Sequence, residues 1–210
     1  TPVADANGTA YASFTFRVTD DDGIANGGQD TDQSPNTITV DVTSVNDEPA
    51  GADNSVSTLE DTPYTFSSGQ FGFSDVDDAP APNNLSGILV TTLPSSGVLT
   101  LAAGASVTGP VTAGQFISTS DLDYLTFTPG TDGHGIPYTG FTFQVVDDGG
   151  TANGGVNLDP SPNTITLNVT PVNDAPVLVN AVDSAPVITT ITEDATNSDG
   201  HLISTLVRTV

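Results

Sequence analysis

The sequence predicts an all-β chain built from tandem two-layer sandwiches, and three observations carry that expectation. The 210 residues repeat themselves, apolar residues alternate with polar ones at a period of two, and Gly, Pro, Asn and Asp clusters interrupt the alternation at strand-length intervals. No stretch carries a helical period.

The repeat sets the organisation. Residues 1–49 align without a gap onto 128–176, an offset of 127, with 29 identities in 49. Tyr11-x-x-Phe14-Thr15-Phe16 matches Tyr138-x-x-Phe141-Thr142-Phe143, and Ala25-Asn26-Gly27-Gly28 matches Ala152-Asn153-Gly154-Gly155. Val45-Asn46-Asp47-x-Pro49 matches Val172-Asn173-Asp174-x-Pro176, and Leu59-Glu60-Asp61 resembles Thr192-Glu193-Asp194 more loosely. The expected organisation is the back end of one unit (1–47), a complete unit (48–174) and the front end of a third (175–210), cut from a longer array.

Within the complete unit each strand follows from its inward residues. Val56 centres the first (52–59) and Phe66 the second (63–67). Ile88 and Val90 define 86–92, Leu99 and Leu101 define 98–102, and Leu125 and Phe127 define 123–128. Phe141, Phe143 and Val145 alternate with Thr142 and Gln144 over 139–146. Ile165, Leu167 and Val169 alternate with Thr166 and Asn168 over 163–170. Seven short strands with turn signals between them predict an immunoglobulin-like Greek-key sandwich, whose core is those fourteen residues.

Composition excludes several functions. Arg17 and Arg208 are the whole basic complement against 26 acidic residues, for a net charge of -24. Nothing could neutralise nucleic-acid phosphates or dock on an anionic leaflet. No apolar run reaches 18 residues, so no membrane insertion is expected in this segment. Without cysteine there is no disulfide, thiolate metal site or cysteine nucleophile. Such charge also marks disordered chains. Against disorder, the acids are 23 Asp to 3 Glu, and Asp suits turns and oxygen-ligated cations.

The motifs reached so far resemble the cadherin-like repeats of large bacterial surface adhesins and matrix proteins. The carriers are the Val-Asn-Asp-x-Pro boundaries, Glu60-Asp61-Thr62-Pro63, and the Phe-Thr-Phe-x-Val-x-Asp-Asp-Gly-Gly run at 141–150. Leu93-Pro94-Ser95-Ser96-Gly97-Val98-Leu99 is similar to a related extracellular repeat of proteoglycan-type proteins. The resemblance implies a calcium-stiffened tandem array, exported and attached to the cell surface, acting in adhesion or as a stalk. Glu60, the Asx linker and Asp75-x-Asp77 match that pattern best. The linker departs from it in lacking the longer Asp-x-Asn-Asp-Asn form, which leaves the number of ions per junction open.

Strand alternation gives the same ligands independently, because successive strands deliver their loops to opposite ends of the sandwich. The upper end gathers Asn46, Asp47, Asp75, Asp77, Asp147 and Asp148, with Asp5 reaching down from the preceding unit. The lower end gathers Glu60, Asp61, Asp132, Asn173 and Asp174. Crowded hard oxygens suit Ca²⁺, which accepts 6–8 of them in flexible geometry. Asp30, Asp121, Asp123 and Asp159 are assigned to turns instead.

No enzyme is expected. His134 and His201 have no partner at metal or triad spacing, and neither a Gly-x-Ser-x-Gly elbow nor a Walker loop occurs. Paired carboxylates can hydrolyse glycosides, but here they recur once per repeat at junctions. The expected function is an extended, calcium-rigidified rod or filament of a secreted or cell-surface protein. The alternative is an extracellular module binding a glycan or protein through the loops of the complete domain, for which Tyr64, Phe71 and Phe73 are the candidate aromatics, although a core or edge role is the favoured reading of all three. Strands 1–47 cannot bury a core alone, so adjacent repeats, or neighbouring copies of the chain by strand complementation in a fibre, are the expected partners.

Overall fold

The computed structural model describes residues 1–78 and 82–175, and the chain divides into two compact units, Thr1–Pro171 and Val172–Val210. The expected strands of 175–210 lie outside the described residues except for Ala175. The described part is all-β, with four short 3₁₀ turns as its only helices.

The first unit begins with a hairpin of β1 (Gly8–Phe16) and β2 (Asn36–Val42), which pair with each other in a two-stranded sheet. Nine further strands follow: β3 (Asn54–Leu59), β4 (Tyr64–Thr65), β5 (Leu85–Val90), β6 (Val98–Leu101), β7 (Gly109–Pro110), β8 (Phe116–Ser118), β9 (Leu125–Thr128), β10 (Gly135–Asp147) and β11 (Asn163–Thr170). They form a five-stranded sheet ordered β3-β11-β10-β5-β8 and a four-stranded sheet ordered β4-β9-β6-β7. Pairing is antiparallel throughout except that β3 runs parallel to β11.

One hydrophobic core joins the two sheets. All fourteen residues expected inside are buried, so the period-two alternation assigned the inward face of every predicted strand. Phe66, just beyond β4, meets Phe141 of β10 edge-on at 5.6 Å, and Phe71 meets Phe143 at 4.9 Å. Such contacts add about 0.5–1.5 kcal/mol beyond the area they bury.

Four core members come from outside the predicted strands. Val111 and Ile117 lie beside or on β7 and β8, which are too short, and too rich in Gly and Pro nearby, to show a period. Phe71 and Leu122 sit on 3₁₀ turns, where neither the strand nor the α-helical period applies. Ser68–Phe71 is nucleated by a reciprocal cap: Ser67 and Gln70 each accept from the other's backbone region. The candidate binding aromatics take the core role favoured for them. Phe71 is fully buried, and Tyr64 and Phe73 pack against the core, with Tyr64 Oη accepting from the Gln70 amide.

Candidate metal sites

The upper end of the sandwich is assembled from four segments. The linker after β2 supplies Asn46 and Asp47, the loop beyond Phe71 supplies Asp75, Asp77 and Asp78, the approach to β5 supplies Asn83, and the end of β10 supplies Asp147. Asn46 Nδ2 donates to both carboxylate oxygens of Asp147 at 3.2 Å and to the Val156 carbonyl at 2.5 Å. Asn83 Nδ2 donates to Asn46 Oδ1 and to Asp78 Oδ2 (2.9 Å for the latter), while the Asn83 N–H donates to Asp75 Oδ2 at 2.6 Å. The Asp47 N–H donates to Asp78 Oδ2 at 3.1 Å.

Three of these carboxylates are buried: Asp75 is 8% exposed, Asp78 9% and Asp147 2%. Asp75 Oδ1 is buried with no hydrogen-bond partner. Among the described residues no ion pair balances them: the one salt bridge there joins His134 and Glu60 elsewhere. Burial raises the pKa of Asp147, against the opposing bonds from Gly149 and Asn46, and Asp75 and Asp78 add repulsion. Asp47 is also raised, by burial first and then by Asp5, Asp78, Asp77 and Glu48. A buried, unneutralised carboxylate cluster is unfavourable by several kcal/mol, and a cation or protons would relieve it.

A cleft of about 140 Å³ opens beside this cluster, lined by Asp5, Asn7, Thr43–Val45, Asp47 and Asp77. Asp5 thus lines the same cleft as Asp47 and Asp77. Its left-handed backbone, φ 61°, is shared by its repeat equivalent Asp132, φ 55°. Asp148 is turned elsewhere: its carboxylate accepts from the Asn84 N–H at 2.7 Å and from Asn84 Nδ2, and the Asn84 backbone bond lowers its pKa.

At the lower end Glu60 is 5% exposed and His134 Nδ1 lies 3.1 Å from its Oε2. His134 Nδ1 is also 3.1 Å from the Asp132 carbonyl, so two acceptors assign the proton to that nitrogen. The partner of His134 lies 74 residues away, which sequence spacing could not show. The Asp132 N–H donates to Asp61 Oδ1 at 3.4 Å, and both aspartates have positive φ. Asn173 and Asp174 belong to the second unit, where Asn173 Nδ2 donates to the Asp174 carbonyl at 3.1 Å.

The aspartates assigned to turns include one with a wider role. Asp159 Oδ1 caps Ser161 N–H at 2.8 Å, and its Oδ2 accepts from Asn163 Nδ2 and from the Gly51 N–H. Asp121 accepts from Ser106 and Ser118, and the Ser106 backbone bond lowers its pKa. Asp78, expected at the upper end but not among the ligands, joins the cluster, and Asn83 was missed. Asp78 had a signal, being part of Asp75-x-Asp77-Asp78, whereas Asn83 in Pro82-Asn83-Asn84 reads only as a turn.

Neither a protein-family model nor a curated protein matches this chain.

Proposed function

We propose that the chain is a segment of a secreted or cell-surface rod, made of immunoglobulin-like, cadherin-like Greek-key repeats that calcium stiffens at their junctions. One observation carries this reading: Asp75 Oδ1 is buried without a partner beside buried Asp78 and Asp147. Oxygen-only donors without thiolate or imidazole fit a hard cation such as Ca²⁺. Asp47, Asp75, Asp77, Asp78 and Asp147 would hold it, and Asp5 across the cleft would bring in the preceding unit. Bound calcium would supply the positive charge that lets these carboxylates stay ionised together. At the lower end, Glu60, Asp61 and Asp132 are the residues offered to the next junction, with Asn173 and Asp174 following in sequence. Adjacent repeats, or neighbouring copies in a fibre, would cover the apolar face of the β1–β2 hairpin.

The glycan- or protein-binding reading has less support, because Phe71 is buried in the core and Tyr64 and Phe73 pack against it half-buried. Small-angle scattering of the whole chain, titrated with Ca²⁺ and then EGTA, tests the proposal. Extension as calcium approaches roughly 10⁻⁴ to 10⁻³ M, reversed by chelator, is expected. An unchanged profile, together with no heat of binding by calorimetry, would remove calcium from the account.

A further inference from the structure

The linker touches the complete sandwich and the preceding hairpin in unequal ways. From Asn46 to Gly51 it is fastened to the sandwich at four places. The Asn46 side chain bonds Asp147, Val156 and Asn83; its carbonyl accepts from the Val156 N–H at 2.9 Å. Asp47 N–H is held by Asp78, Ala50 pairs with Ser74 through two 2.8 Å backbone bonds, and Gly51 N–H is held by Asp159. Toward the hairpin the picture is opposite. Among the described residues, no hydrogen bond runs from residues 1–45 to the sandwich, and the cleft at Asp5, Thr43–Val45 and Asp77 lies between them.

Two glycines make the fastening sterically feasible. A β-carbon at Gly149 would overlap Asn46 Oδ1 and crowd Asn83 Nδ2. One at Gly155 would lie 3.0 Å from Asn46 Cβ. Gly149 also donates its N–H to Asp147 Oδ1 at 2.8 Å, closing the turn that presents the carboxylate. In the preceding unit the repeat equivalents of Asp147, Gly149 and Gly155 are Asp20, Asp22 and Gly28. The turn is conserved there in form, with Asp22 N–H on Asp20 Oδ1 at 3.2 Å, but the Gly149 position carries a side chain.

We propose that Asn46 is a peg seated in a socket bounded by Gly149 and Gly155, which locks the linker to the following domain without any cation. The freedom of the joint then lies entirely on the other side, at Thr43–Val45, and a cation at the Asp5/Asp47/Asp77 cleft acts only there. This last clause rests on the calcium reading of the junction; the peg does not. The position of Gly149 sorts repeats into two kinds. Units with glycine accept an asparagine peg from the preceding linker, and units with aspartate there, as at Asp22, refuse it.

Native-state amide hydrogen exchange of the whole chain in EGTA tests the peg, in the wild type, Asn46→Ala and Gly149→Asp. In the wild type, the Asp47 and Val156 N–H groups should exchange roughly ten-fold or more slowly than the unbonded amides of Ser44 and Val45. In both variants that protection should fall at least several-fold, while the core amides of Val145 and Ile165 keep theirs. If Gly149→Asp fails to fold, Asn46→Ala carries the test alone. Wild-type Asp47 and Val156 exchanging as fast as Ser44 until calcium is added would overturn the proposal, as would protection that survives Asn46→Ala. Protection in EGTA with no response to calcium anywhere would uphold the peg and sink the calcium reading instead.

Discussion

The β1–β2 and β10–β11 hairpins are the same structure in two environments. Their registers coincide pair for pair: Phe14↔Ile38 answers Phe141↔Ile165, and Gly8↔Val42 answers Gly135↔Val169, with the irregularity at the same place. Each ends in a 3₁₀ turn with a left-handed asparagine, Asn26 or Asn153. Yet Phe14 is 55% exposed where Phe141 is 1%, and Ile38 is 44% exposed where Ile165 is buried completely. Strand pairing, register and turn conformation are thus encoded locally. Burial is not: β10–β11 acquires it from β3 and β5 at its edges and from the four-stranded sheet across the core.

The largest expected contrast is in packing. Phe143→Ala should destabilise the sandwich by about 3–5 kcal/mol, because the ring is fully buried in the core. Phe16→Ala, at the equivalent position, should cost less than about 1 kcal/mol. Urea unfolding followed by near-ultraviolet circular dichroism separates them, and equal effects would show that the hairpin is buried in solution.

Next in size is the contrast between Asp147, at the end of β10, and its repeat equivalent Asp20, beyond the end of β1. Asp147→Asn should weaken calcium binding at the upper junction about ten-fold or more, whereas Asp20→Asn should leave that junction unchanged. Calcium-dependent amide shifts of Asn83 and Gly149 report on it directly. Equal responses would place the ion away from the Asp75–Asp78–Asp147 cluster.

A smaller effect is a reversal with pH. Asp147 and Asp47 hold their pKa above the ordinary 3.8 in the folded chain. A raised acid takes up its proton in the folded state first, so its destabilisation at neutral pH is relieved as pH falls through the folded value toward 3.8. In EGTA the melting temperature should therefore rise as the solution is acidified from pH 7 into that window. In calcium the same groups would be held ionised, and acidification should lower it. Asp121 and Asp148, whose pKa values are lowered, lose their contribution only below 3.8 and leave the window clear. Asp147→Asn should flatten the EGTA slope; an unaltered slope would remove Asp147 as its source.

Smallest is the pair of exposed His134 with buried Glu60. His134 stands where the first hairpin has Asn7, and its side chain is half exposed. His134→Asn should change stability by no more than about 1 kcal/mol in thermal melts. A larger loss would mean that Glu60 depends on the imidazole for its burial.

The sandwich was legible where side chains alternate and opaque where the backbone turns. Ile88/Val90 and Phe141/Phe143/Val145 announce their inward face through period two alone. Phe71 and Leu122 do not, since a single 3₁₀ turn has no period to read. Gly109–Pro110 reads as a break and forms an edge strand instead. In the upper cluster, Asp75, Asp77 and Asp147 were legible because loop order follows from strand alternation. Asp148 shows the limit of that reasoning: chain position brings it to the right end, but its side chain turns to Asn84. Gly149 reads as a turn residue in Asp-Asp-Gly-Gly. Its closeness to Asn46 exists only once residues about a hundred positions apart are folded together.

The parallel pairing of β3 with β11 has a mechanical consequence. The chain enters the sandwich at β3 and leaves it from β11, and the six paired positions run from Asn54↔Ile165 to Leu59↔Thr170. Because the strands are parallel, entry and exit lie at opposite ends of one ladder. Tension applied along the chain therefore runs along the strands and across the hydrogen bonds, loading all of them together in shear. Peeling them open one at a time would need a pull from the same end. A domain so connected resists stretching with its whole clamp, whichever terminus is tugged.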